Sequence, residues 1–561
     1  MEKRWVINEG DAETVKQLQE TLNIHPVLLQ LLAQRGVSGY EEAKKFFRPT
    51  LDYLHDPFLM KDMDKAIDRI LRAIRNHEKI LIYGDYDVDG TTAVALVYSF
   101  FKELDIPVDY YVPNRYTEGY GISFRGIDWA RDHGFKLVIA LDCGIKANDK
   151  IAYANEQKVD FIICDHHLPG DEIPNAVAVL DPKRVDCNYP FKELSGCGIG
   201  FKLISALARK KRVPYEQVNK YLDFVVVSIA ADIVPIIGEN RTLAFYGLQK
   251  LNQKPCEGLR ALIELNGVRK SLSISDVVFI IGPRINAAGR MDDARDAVRL
   301  LISGMELASS HAELLNKHNR NRKDFDVSIT QEAMSMLESD PEQAIKKTTV
   351  LYKKEWHKGV IGIVASRLID TWYRPTIVFT ESNGVIAGSA RSVPGYDIYE
   401  AIHACRDLLE QFGGHMFAAG LTLKHENLKA FSEKFESVVS STIEDRYLTP
   451  EIEINAELHP KDITPKFFSI LQQLAPFGPG NMKPVFVTYG VKDNGWSRVV
   501  GDGHLKFSVV KDGVQLQGVG FGFGSHITKV KSGKPFDICY TLEENEWNGK
   551  KRVEMMVRDL K

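Results

Sequence analysis

Three carboxylates stand at every second position just after a short apolar run in the segment KILIYGDYDVDG. They are Asp85, Asp87 and Asp89, and the apolar run before them is typical of a buried strand. Acids crowded in this way repel one another unless a cation lies between them, and hard divalent metals prefer oxygen ligands. A calcium-binding EF-hand loop is excluded, because its twelfth position requires glutamate and here holds Leu96. The spacing therefore predicts a metal site.

More acids and two imidazoles follow other apolar runs further along the chain. We take as candidate ligands or neighbours of the metal site Asp142, Asp165, His166, His167 and Asp232. A set that is rich in oxygen, contains imidazole and lacks thiolate suits Mn²⁺ or Mg²⁺. The carboxylates exceed what one ion needs, so we expect two ions, a pair that hydrolyses phosphate esters in many enzymes.

The fold that would bring these residues together is an α/β domain with a parallel sheet. Apolar strands alternate with helices, and the carboxyl ends of parallel strands form the usual ligand-binding edge of such a sheet. We predict a helix after Gly90 that Thr91 or Thr92 caps, a second helix capped by Ser123, and another edge element that ends at Asp232. The predicted strands are KILIY, VDYYVP, KLVIALD, VDFIICD and AVAVLD.

The pattern along the chain indicates five regions. We predict an N-terminal helical segment over 1–75, the metal-binding catalytic domain over 76–305, a connecting helix over 306–345, a second α/β domain over 346–446 that binds substrate, and an OB-like β-barrel over 447–561. A charge run lies on the connecting helix, either as a solvated face or as a lining of the cleft between domains: Lys317, His318, Arg320, Arg322 and Lys323.

Two glycine-containing segments of the first α/β domain are candidates for contact with a phosphodiester. Residues 114–123 include Arg115, with a plain connection as the alternative. Residues 282–294 include Arg284, Asn286 and Arg290, whose arginines lie among small residues and could approach a phosphate closely, with a salt-bridged surface loop as the alternative.

Two further regions offer contacts to substrate. In the second α/β domain, paired glycines expose backbone N–H groups and a histidine adds a donor, so we expect a phosphate to bind at Gly413, Gly414, His415 and Arg391. In the C-terminal barrel the aromatic residues either stack on bases or fill the core, and the candidates are Phe486, Trp496, Phe507 and Phe521.

Bulk composition is that of an ordinary globular protein, with 44% hydrophobic and 26% charged residues and a net charge of −3. No apolar run reaches the ~20 residues of a membrane span, and MEKRWVINEG lacks the apolar core of a signal peptide. Seven cysteines without a CxxC pair argue against a disulfide framework or a zinc ribbon. We expect a cytoplasmic protein without a membrane partner.

The segments YGDYDVDGTT, LDCGI, CDHH and IAADIVP resemble the four motifs of the DHH phosphoesterase superfamily. Further segments resemble the RecJ family of that superfamily in the expected order, up to about residue 425, and include NRYTEGYG, GPRINAAGRMDDA, KGVIGIVASRL, GSARS and GGHMFAAG. The resemblance implies roles for the metal-site residues. Asp85 and Asp87 would bind one ion and Asp89 the other, Asp142 would bridge them, and His166 with Asp232 would complete the ligands of the second ion.

By the same resemblance, His167 would face the scissile phosphate and Asp165 would support the histidines. Asp223 competes with Asp232 for the last ligand position, and we prefer Asp232 because it follows the apolar run.

The resemblance implies a single-stranded-DNA-specific exonuclease that works 5′→3′, releases 5′-mononucleotides and serves DNA repair and recombination. It also implies a monomer, with a single-strand-binding protein and a helicase as possible partners. Two alternatives stay open at this point. One is a phosphoesterase for short oligonucleotides, cyclic dinucleotides or pyrophosphate, and the other is a non-catalytic single-strand binder on the same core.

Overall fold

The computed structural model describes residues 2–382, 384–547 and 549–561. The chain forms two compact units. One contains residues 7–289, 293–315 and 453–561; the other contains 290–292 and 316–452 together with the first residues of the chain. Among the described residues, no helix combines the length and hydropathy that crossing a membrane requires.

The N-terminal region is mainly helical, as the apolar spacing predicted. Its elements are β1 (Arg4–Ile7), α1 (Ala12–Thr21), α2 (Pro26–Ala33), α3 (Tyr40–Phe47) and α4 (Met63–Arg75). Buried leucines of α1 and α2, such as Leu18 and Leu29, share a hydrophobic core with Phe467 and Phe507 from the C-terminal part of the chain. Helix α4 instead packs into the core of the first α/β domain through Ile67 and Ile70.

A five-stranded parallel sheet forms the centre of the first α/β domain. Its elements are β2 (Lys79–Gly84), α5 (Val88–Glu103), β3 (Val108–Tyr111), α6 (Phe124–Asp132), β4 (Phe135–Leu141), α7 (Asn148–Glu156), β5 (Asp160–Cys164) and β6 (Ala178–Leu180). The strand order is β3-β2-β4-β5-β6, and all neighbours run parallel. The carboxyl ends of the strands therefore lie along one edge, which confirms the predicted fold class.

Helix α5 begins earlier than predicted, because Asp87 rather than a threonine caps it. Asp87 Oδ1 accepts a hydrogen bond from Gly90 N at 2.9 Å, whereas the hydroxyls of Thr91 and Thr92 donate back to carbonyls of the preceding turn. Gly90 lies inside the helix, where a Cβ atom would stand only 2.4 Å from the carbonyl oxygen of Asp85. Glycine is thus required by close packing of the helix start against the metal-binding loop, not by a turn.

A largely helical region follows the sheet. Its elements are α8 (Gly196–Lys211), α9 (Glu216–Asn219), α10 (Leu222–Ala231), α11 (Gly238–Gln253), α12 (Glu257–Leu265), α13 (Ile274–Asp276), a π-helix (Val277–Ile281), α14 (Gly282–Met291) and α15 (Arg295–Leu301).

One prediction for this region was wrong in its secondary structure. The apolar run before Asp232 is helix α10 and not an element of the sheet edge; its residues 222–230 are all buried, so periodicity could not distinguish helix from strand. Residues 282–291 form helix α14, so they are not the surface loop that was considered as the alternative.

The second unit contains a mixed sheet. Its elements are the helix α16 (Met305–Ser339), whose start lies in the first unit, and β7 (Thr349–Tyr352), α17 (Ile361–Thr371), β8 (Thr376–Ser382), β9 (Val385–Arg391), α18 (Ile398–His403), β10 (Gln411–His415), β11 (Ala418–Leu423) and α19 (Leu428–Thr442). The strand order is β10-β11-β9-β8-β7, with only β7 and β8 parallel. The long helix confirms the polar helix predicted near residues 305–340.

The C-terminal part is a small β-barrel. Its elements are β12 (Glu451–Ile454), β13 (Ala456–Glu457), α20 (Pro465–Gln472), β14 (Phe486–Asp493), β15 (Arg498–Val500), β16 (His504–Lys511), β17 (Val514–Gly520), α21 (Ile527–Val530), β18 (Phe536–Trp547) and β19 (Lys550–Leu560). Strands β14, β18, β19, β17 and β16 pair in that order, and β16 also pairs with β14 and closes the barrel. Five strands closed in this way form an OB-type barrel.

Short 3₁₀ helices connect several elements: Leu51–Tyr53, Pro57–Leu59, Pro341–Ala344, Arg406–Leu408, His425–Asn427, Asp445–Leu448, Pro460–Asp462 and Gly524–His526.

A buried arginine joins three regions of the first unit. Arg241 of α11 donates to Phe46 O, Leu474 O and Ala475 O at 2.9 Å each. Burial lowers the pKa of Arg241 to about 9, with nearby Arg35 as the second cause. The guanidinium therefore connects the N-terminal helices and the segment before the barrel to the helix that follows Asp232. Loss of the Arg241 side chain would leave these buried carbonyl oxygens without a hydrogen bond, which is destabilising.

Candidate metal centre

Side chains from five elements of the first unit meet at the carboxyl edge of the parallel sheet. Asp85 follows β2, Asp142 follows β4 and His166 follows β5, as the strand-end argument predicted. Asp89 lies in the first turn of α5, and Asp232 caps the C-terminus of α10. The elements that position these residues differ in kind, but their polar groups point to one place.

His166 lies at the centre of the group. Its Nε2 atom is 3.1 Å from Asp142 Oδ1 and 3.6 Å from both Asp89 Oδ2 and Asp232 Oδ2. The ligand atoms fall into two overlapping sets, each within 4.8 Å, one formed by Asp142, His166 and His167 and the other by Asp89, His166 and Asp232. The structure therefore brings together most of the acids and histidines that the motifs singled out, whereas Asp85 and Asp87 lie outside these two sets.

The bonding of these groups fits divalent cations. Within the described part of the chain, both oxygens of Asp142, Oδ2 of Asp85 and both ring nitrogens of His166 are buried without a hydrogen bond of acceptable geometry. Burial raises the pKa of Asp142 well above its usual range, and Asp89 and Asp87 raise it further; burial and Asp87 do the same to Asp85. Unpaired buried carboxylates are costly unless a cation compensates them. Oxygen and imidazole donors without thiolate suit Mn²⁺ or Mg²⁺.

Asp89 is held by groups that the sequence analysis did not identify. Its Oδ2 accepts from Gly196 N, and its Oδ1 accepts from Cys197 N and Ser228 Oγ, all at 2.7 Å. The two amides belong to the first turn of α8, where the helix dipole favours a carboxylate. The signal was present in SGCGIG, a serine cap before a helix start of small residues, but nothing in the sequence paired it with Asp89.

Two residues at the centre have left-handed backbone conformations that non-glycine residues rarely adopt. They are Asp142, with φ +61°, and Ile233, with φ +60°, directly after Asp232. A β-branched residue in this region is a strained outlier, and such strain concentrates at functional sites. Gly196 packs closely against Asp142, since a Cβ atom added to Gly196 would lie 2.7 Å from the Cβ atom of Asp142.

Asp165 supports His167, in agreement with the sequence analysis. Its Oδ1 lies 2.7 Å from His167 Nδ1 and accepts from His166 N at 2.7 Å, while Oδ2 accepts from Ile145 N at 2.8 Å. Burial acts to raise the pKa of Asp165, but these hydrogen bonds and the His167 charge lower it to about 2. Burial acts to lower the pKa of His167, but the hydrogen bond and charge of Asp165, together with the charges of Asp232 and Asp87, raise it to about 9. In the metal-free protein His167 is therefore protonated at neutral pH.

The segment 114–123 is a structured loop that touches the metal centre. Tyr120 OH lies 3.3 Å from His167 Nε2, and Gly121 N donates to Asp85 Oδ1 at 3.4 Å. The Arg115 guanidinium lies 5.1 Å from the centre of the Tyr86 ring. Glu118, which binds Tyr111 OH, Asn114 N and Ser123 Oγ, holds the loop together. These contacts place Arg115 and Tyr120 beside the acids.

Asp232, and not Asp223, lies at the metal centre. Asp223 is in the first turn of α10, about 14 Å along the helix from Asp232. It is fully buried, and its Oδ2 accepts from Cys256 N at 2.7 Å. Asp181, an acid that the sequence analysis did not include, follows β6 at the same edge of the sheet. It is buried, and burial raises its pKa to about 7.

The candidate phosphate contacts of the segment 282–294 lie on helix α14. Arg284 donates to Ile280 O of the π-helix, Asn286 is half-buried, and Arg290 donates to Gly359 O at 2.9 Å within the second unit. Gly289 brings the helix against the metal-binding loop, because a Cβ atom there would lie 2.8 Å from Tyr86 O.

The predicted phosphate anchors of the second unit lie on strands. Arg391 is the last residue of β9. Its guanidinium packs against Gly362 in the first turn of α17, where a Cβ atom in place of the glycine hydrogen would lie only 2.8 Å from it. Gly413, Gly414 and His415 lie on β10, an exposed edge strand that forms a hairpin with β11, so they are not a separate turn. The edge leaves backbone groups available to a ligand.

The aromatic candidates of the barrel divide into two pairs. Phe486 and Phe507 are fully buried, whereas Trp496 and Phe521 are 70% and 60% exposed. The charge run on α16 is also mixed, since His318 and Arg322 are buried and only part of it is a solvated face.

Comparison with known proteins identifies three domain types along the chain. Residues 79–229 match the DHH family N-terminal domain, 346–441 the DHHA1 domain and 454–559 the RecJ OB domain. The chain is 37% identical over 562 residues to the single-stranded-DNA-specific exonuclease RecJ of Bacillus subtilis, covering 99% of this chain and 70% of that one. With the RecJ of Escherichia coli the identity is 31% over 557 residues, and the coverage is 95% and 96%.

A solved structure agrees with this result. The crystal structure of RecJ in complex with Mn²⁺ from Thermus thermophilus matches with a TM-score of 0.84 at 28% identity, covering 100% of this chain and 79% of that one. The corresponding Mg²⁺ complex matches with a TM-score of 0.78 at 27% identity. From the identity to curated relatives over nearly its full length, the chain belongs to the RecJ family of DHH proteins.

Proposed function

We propose that the protein is a single-stranded-DNA-specific exonuclease that degrades DNA 5′→3′ to 5′-mononucleotides, in DNA repair and recombination. The observation that carries this proposal is the cluster of Asp89, Asp142, His166 and Asp232, whose ligand atoms converge on His166, with a buried oxygen of Asp85 that also lacks a hydrogen bond. The named relatives are exonucleases of this specificity, and relatives have been crystallised with Mn²⁺ and with Mg²⁺. We infer that the same ions serve here.

The residues divide into ligands and groups that act on the phosphodiester. Asp142 would bridge the two ions, Asp85 and Asp87 would bind one, and Asp89, His166 and Asp232 would bind the other. When bound, the ions acidify water and neutralise charge on the phosphoryl oxygens.

His167 and Arg115 would contact the substrate itself. Asp165 fixes Nδ1 of His167, so Nε2 is the atom that can donate. A cationic His167 can stabilise charge on the phosphate and supply a proton to the departing 3′-oxygen of the terminal nucleotide.

The remaining candidates would bind the DNA strand at phosphates other than the reacting one. Arg284, Asn286 and Arg290 of α14 and the group formed by Arg391, Gly413, Gly414 and His415 are proposed as phosphate contacts. Arginine forms paired hydrogen bonds with phosphate, and an edge strand offers backbone N–H groups.

The two alternative functions account for fewer of the observations. An enzyme for small phosphate esters has no use for a barrel with exposed aromatic residues. A non-catalytic binder has no use for the buried, crowded acids of the metal centre, which impose a cost on folding.

Partners and compartment follow from the proposed activity. We propose that the enzyme acts as a monomer on single-stranded DNA in the cytoplasm, and that a single-strand-binding protein and a helicase supply its substrate.

The activity is tested with DNA labelled at the 3′ end, offered as a single strand, a blunt duplex and a dinucleotide. With Mn²⁺ or Mg²⁺ we expect release of mononucleotides from the single strand only when its 5′ end is free, and loss of activity in EDTA. Faster turnover of the dinucleotide than of the long strand would favour the small-substrate alternative, and metal-independent binding without cleavage would favour the non-catalytic one.

We expect the exposed aromatic residues of the barrel to bind bases. Trp496 lines a cavity of about 290 Å³ with Arg498 and Lys506, which combines a stacking surface with positive charge. Changing Trp496 to alanine should weaken binding of a long single strand by ~1–3 kcal/mol, or roughly 5–150-fold. Fluorescence anisotropy in Ca²⁺ measures this affinity; cleavage of a dinucleotide serves as the control and should stay within twofold. Unchanged affinity for the long strand would remove the barrel from the binding site.

A further inference from the structure

The hydrogen bonds around Asp89 leave one of its oxygens much less available to a metal ion than the other. A carboxylate has about four lone-pair positions, two on each oxygen. Oδ1 accepts from Cys197 N and Ser228 Oγ, whereas Oδ2 accepts from Gly196 N alone. Oδ2 is also the oxygen that lies 3.6 Å from His166 Nε2. The open position on Asp89 therefore faces the other ligands.

We propose that Ser228 and Ser195 form a hydrogen-bond relay that restricts Asp89 to binding a metal ion through Oδ2 alone, and that this restriction sets the metal preference of the centre. The inference rests on the proposed two-metal function. Neither serine touches the reacting atoms, so both are positioning residues.

The direction of the relay follows from counting hydrogens. An ionised Asp89 can only accept, so Ser228 Oγ must donate its single hydrogen to Oδ1. Ser228 Oγ then accepts from Ser195 Oγ at 2.6 Å, and Ser195 Oγ in turn accepts from Gly198 N at 3.1 Å. Both serines are fully buried, so water does not compete with this order.

The relay connects the two helices on which the ligands depend. Ser195 is the N-cap of α8, whose first amides hold Asp89, and Ser228 lies one turn before Asp232 on α10. A shift of either helix would break the chain of hydrogen bonds. The relay thus couples the orientation of Asp89 to the position of Asp232.

One-oxygen binding favours small octahedral ions over calcium. Mg²⁺ requires near-ideal octahedral geometry, whereas Ca²⁺ accepts more ligands and often takes both oxygens of a carboxylate. Removing the Ser228 hydroxyl frees a lone pair on Oδ1 and lets the carboxylate rotate. Discrimination against Ca²⁺ should then decrease.

The test compares binding of Mn²⁺ and Ca²⁺ to the full-length protein with Ser228→Ala, without any activity measurement. We expect the Mn²⁺ affinity, followed by electron paramagnetic resonance of free Mn²⁺, to fall about 10–100-fold, as for other changes behind metal ligands. Calorimetry should show Ca²⁺ affinity unchanged or higher, so the Mn²⁺/Ca²⁺ affinity ratio falls at least about tenfold. Ser205→Ala is the matched control, because it removes an equally buried hydroxyl of α8 that donates to Phe201 O.

The outcomes separate this inference from the proposed function. An Mn²⁺/Ca²⁺ ratio within threefold of wild type in Ser228→Ala would overturn the relay, while loss of Mn²⁺ binding in Asp142→Asn would still support the metal centre. If Ser228→Ala does not fold, as judged by its melting curve, Ser228→Cys takes its place; its weak S–H donor should give an intermediate ratio, and a wild-type ratio would overturn the relay. If Asp142→Asn also binds Mn²⁺ like wild type, the proposed metal centre itself is wrong.

Discussion

Replacing Asp142 with asparagine is expected to lower the rate of single-strand degradation by at least about 10³-fold. Both oxygens of Asp142 are buried without a hydrogen bond of acceptable geometry, and its polar neighbours are His166 Nε2 at 3.1 Å and other acids, so a bound cation would compensate its negative charge. Asparagine has nearly the same shape but no charge, and the bridging position between two ions would be lost. The rate is measured with a 3′-labelled single strand at saturating Mn²⁺.

The same substitution should stabilise the metal-free protein, which separates a lost ligand from a damaged fold. The pKa of Asp142 is raised, so its favourable contribution to folding is complete below its usual pKa and is lost as pH rises through the higher folded value. At pH 7 to 8 in EDTA, Asp142→Asn should therefore melt at a higher temperature than wild type, and added Mn²⁺ should raise the melting temperature of wild type alone.

Asp223→Asn is the matched control, because Asp223 is also a buried acid but binds Cys256 N at the far end of α10. It should keep most of the metal-dependent activity. Equal loss of activity in both variants would contradict the assignment of Asp142 and Asp232 to the centre.

The sheet and most of the metal centre were predictable because the strands carry their own signal. Each ligand motif follows an apolar run, and parallel strands must end at one edge, so Asp85, Asp142 and His166 could be placed together from local patterns. The exposed or buried state of Trp496 and Phe507 could not be predicted, since both are aromatic residues in short strands of the same kind.

The contacts that tune the ligands depend on residues far apart in the chain. Asp89 and Ser228 are 139 residues apart, and nothing local in either segment indicates that they meet. The apolar run 222–231 was assigned to the sheet edge because a helix buried on all sides has no amphipathic period. This wrong assignment did not affect the predicted position of Asp232. The run ends at the same edge of the sheet whether it is a helix or a strand, so the residue at its end lies there in either case.

The second large effect concerns His167, whose replacement by alanine should reduce the rate about 10²–10³-fold and flatten the alkaline side of the pH profile. With a pKa of about 9, His167 is protonated at neutral pH, so the wild-type rate should fall above pH ~9 as the cation is lost. Asp165→Asn removes the partner that raises this pKa. The alkaline limb should then move to lower pH, because burial lowers the pKa of His167 once the hydrogen bond and charge of Asp165 are gone.

Rates measured from pH 5.5 to 10 at saturating Mg²⁺ test this assignment, and Mn²⁺ affinity serves as the control. Asp165 also accepts from the backbone of His166 and Ile145, so Asp165→Asn can disturb the loop; if it does, Mn²⁺ binding will weaken as well. Retained Mn²⁺ binding with a shifted alkaline limb means that Asp165 acts through the charge of His167. An alkaline limb that stays near pH 9 in Asp165→Asn would contradict the proposal that Asp165 sets the charge of His167.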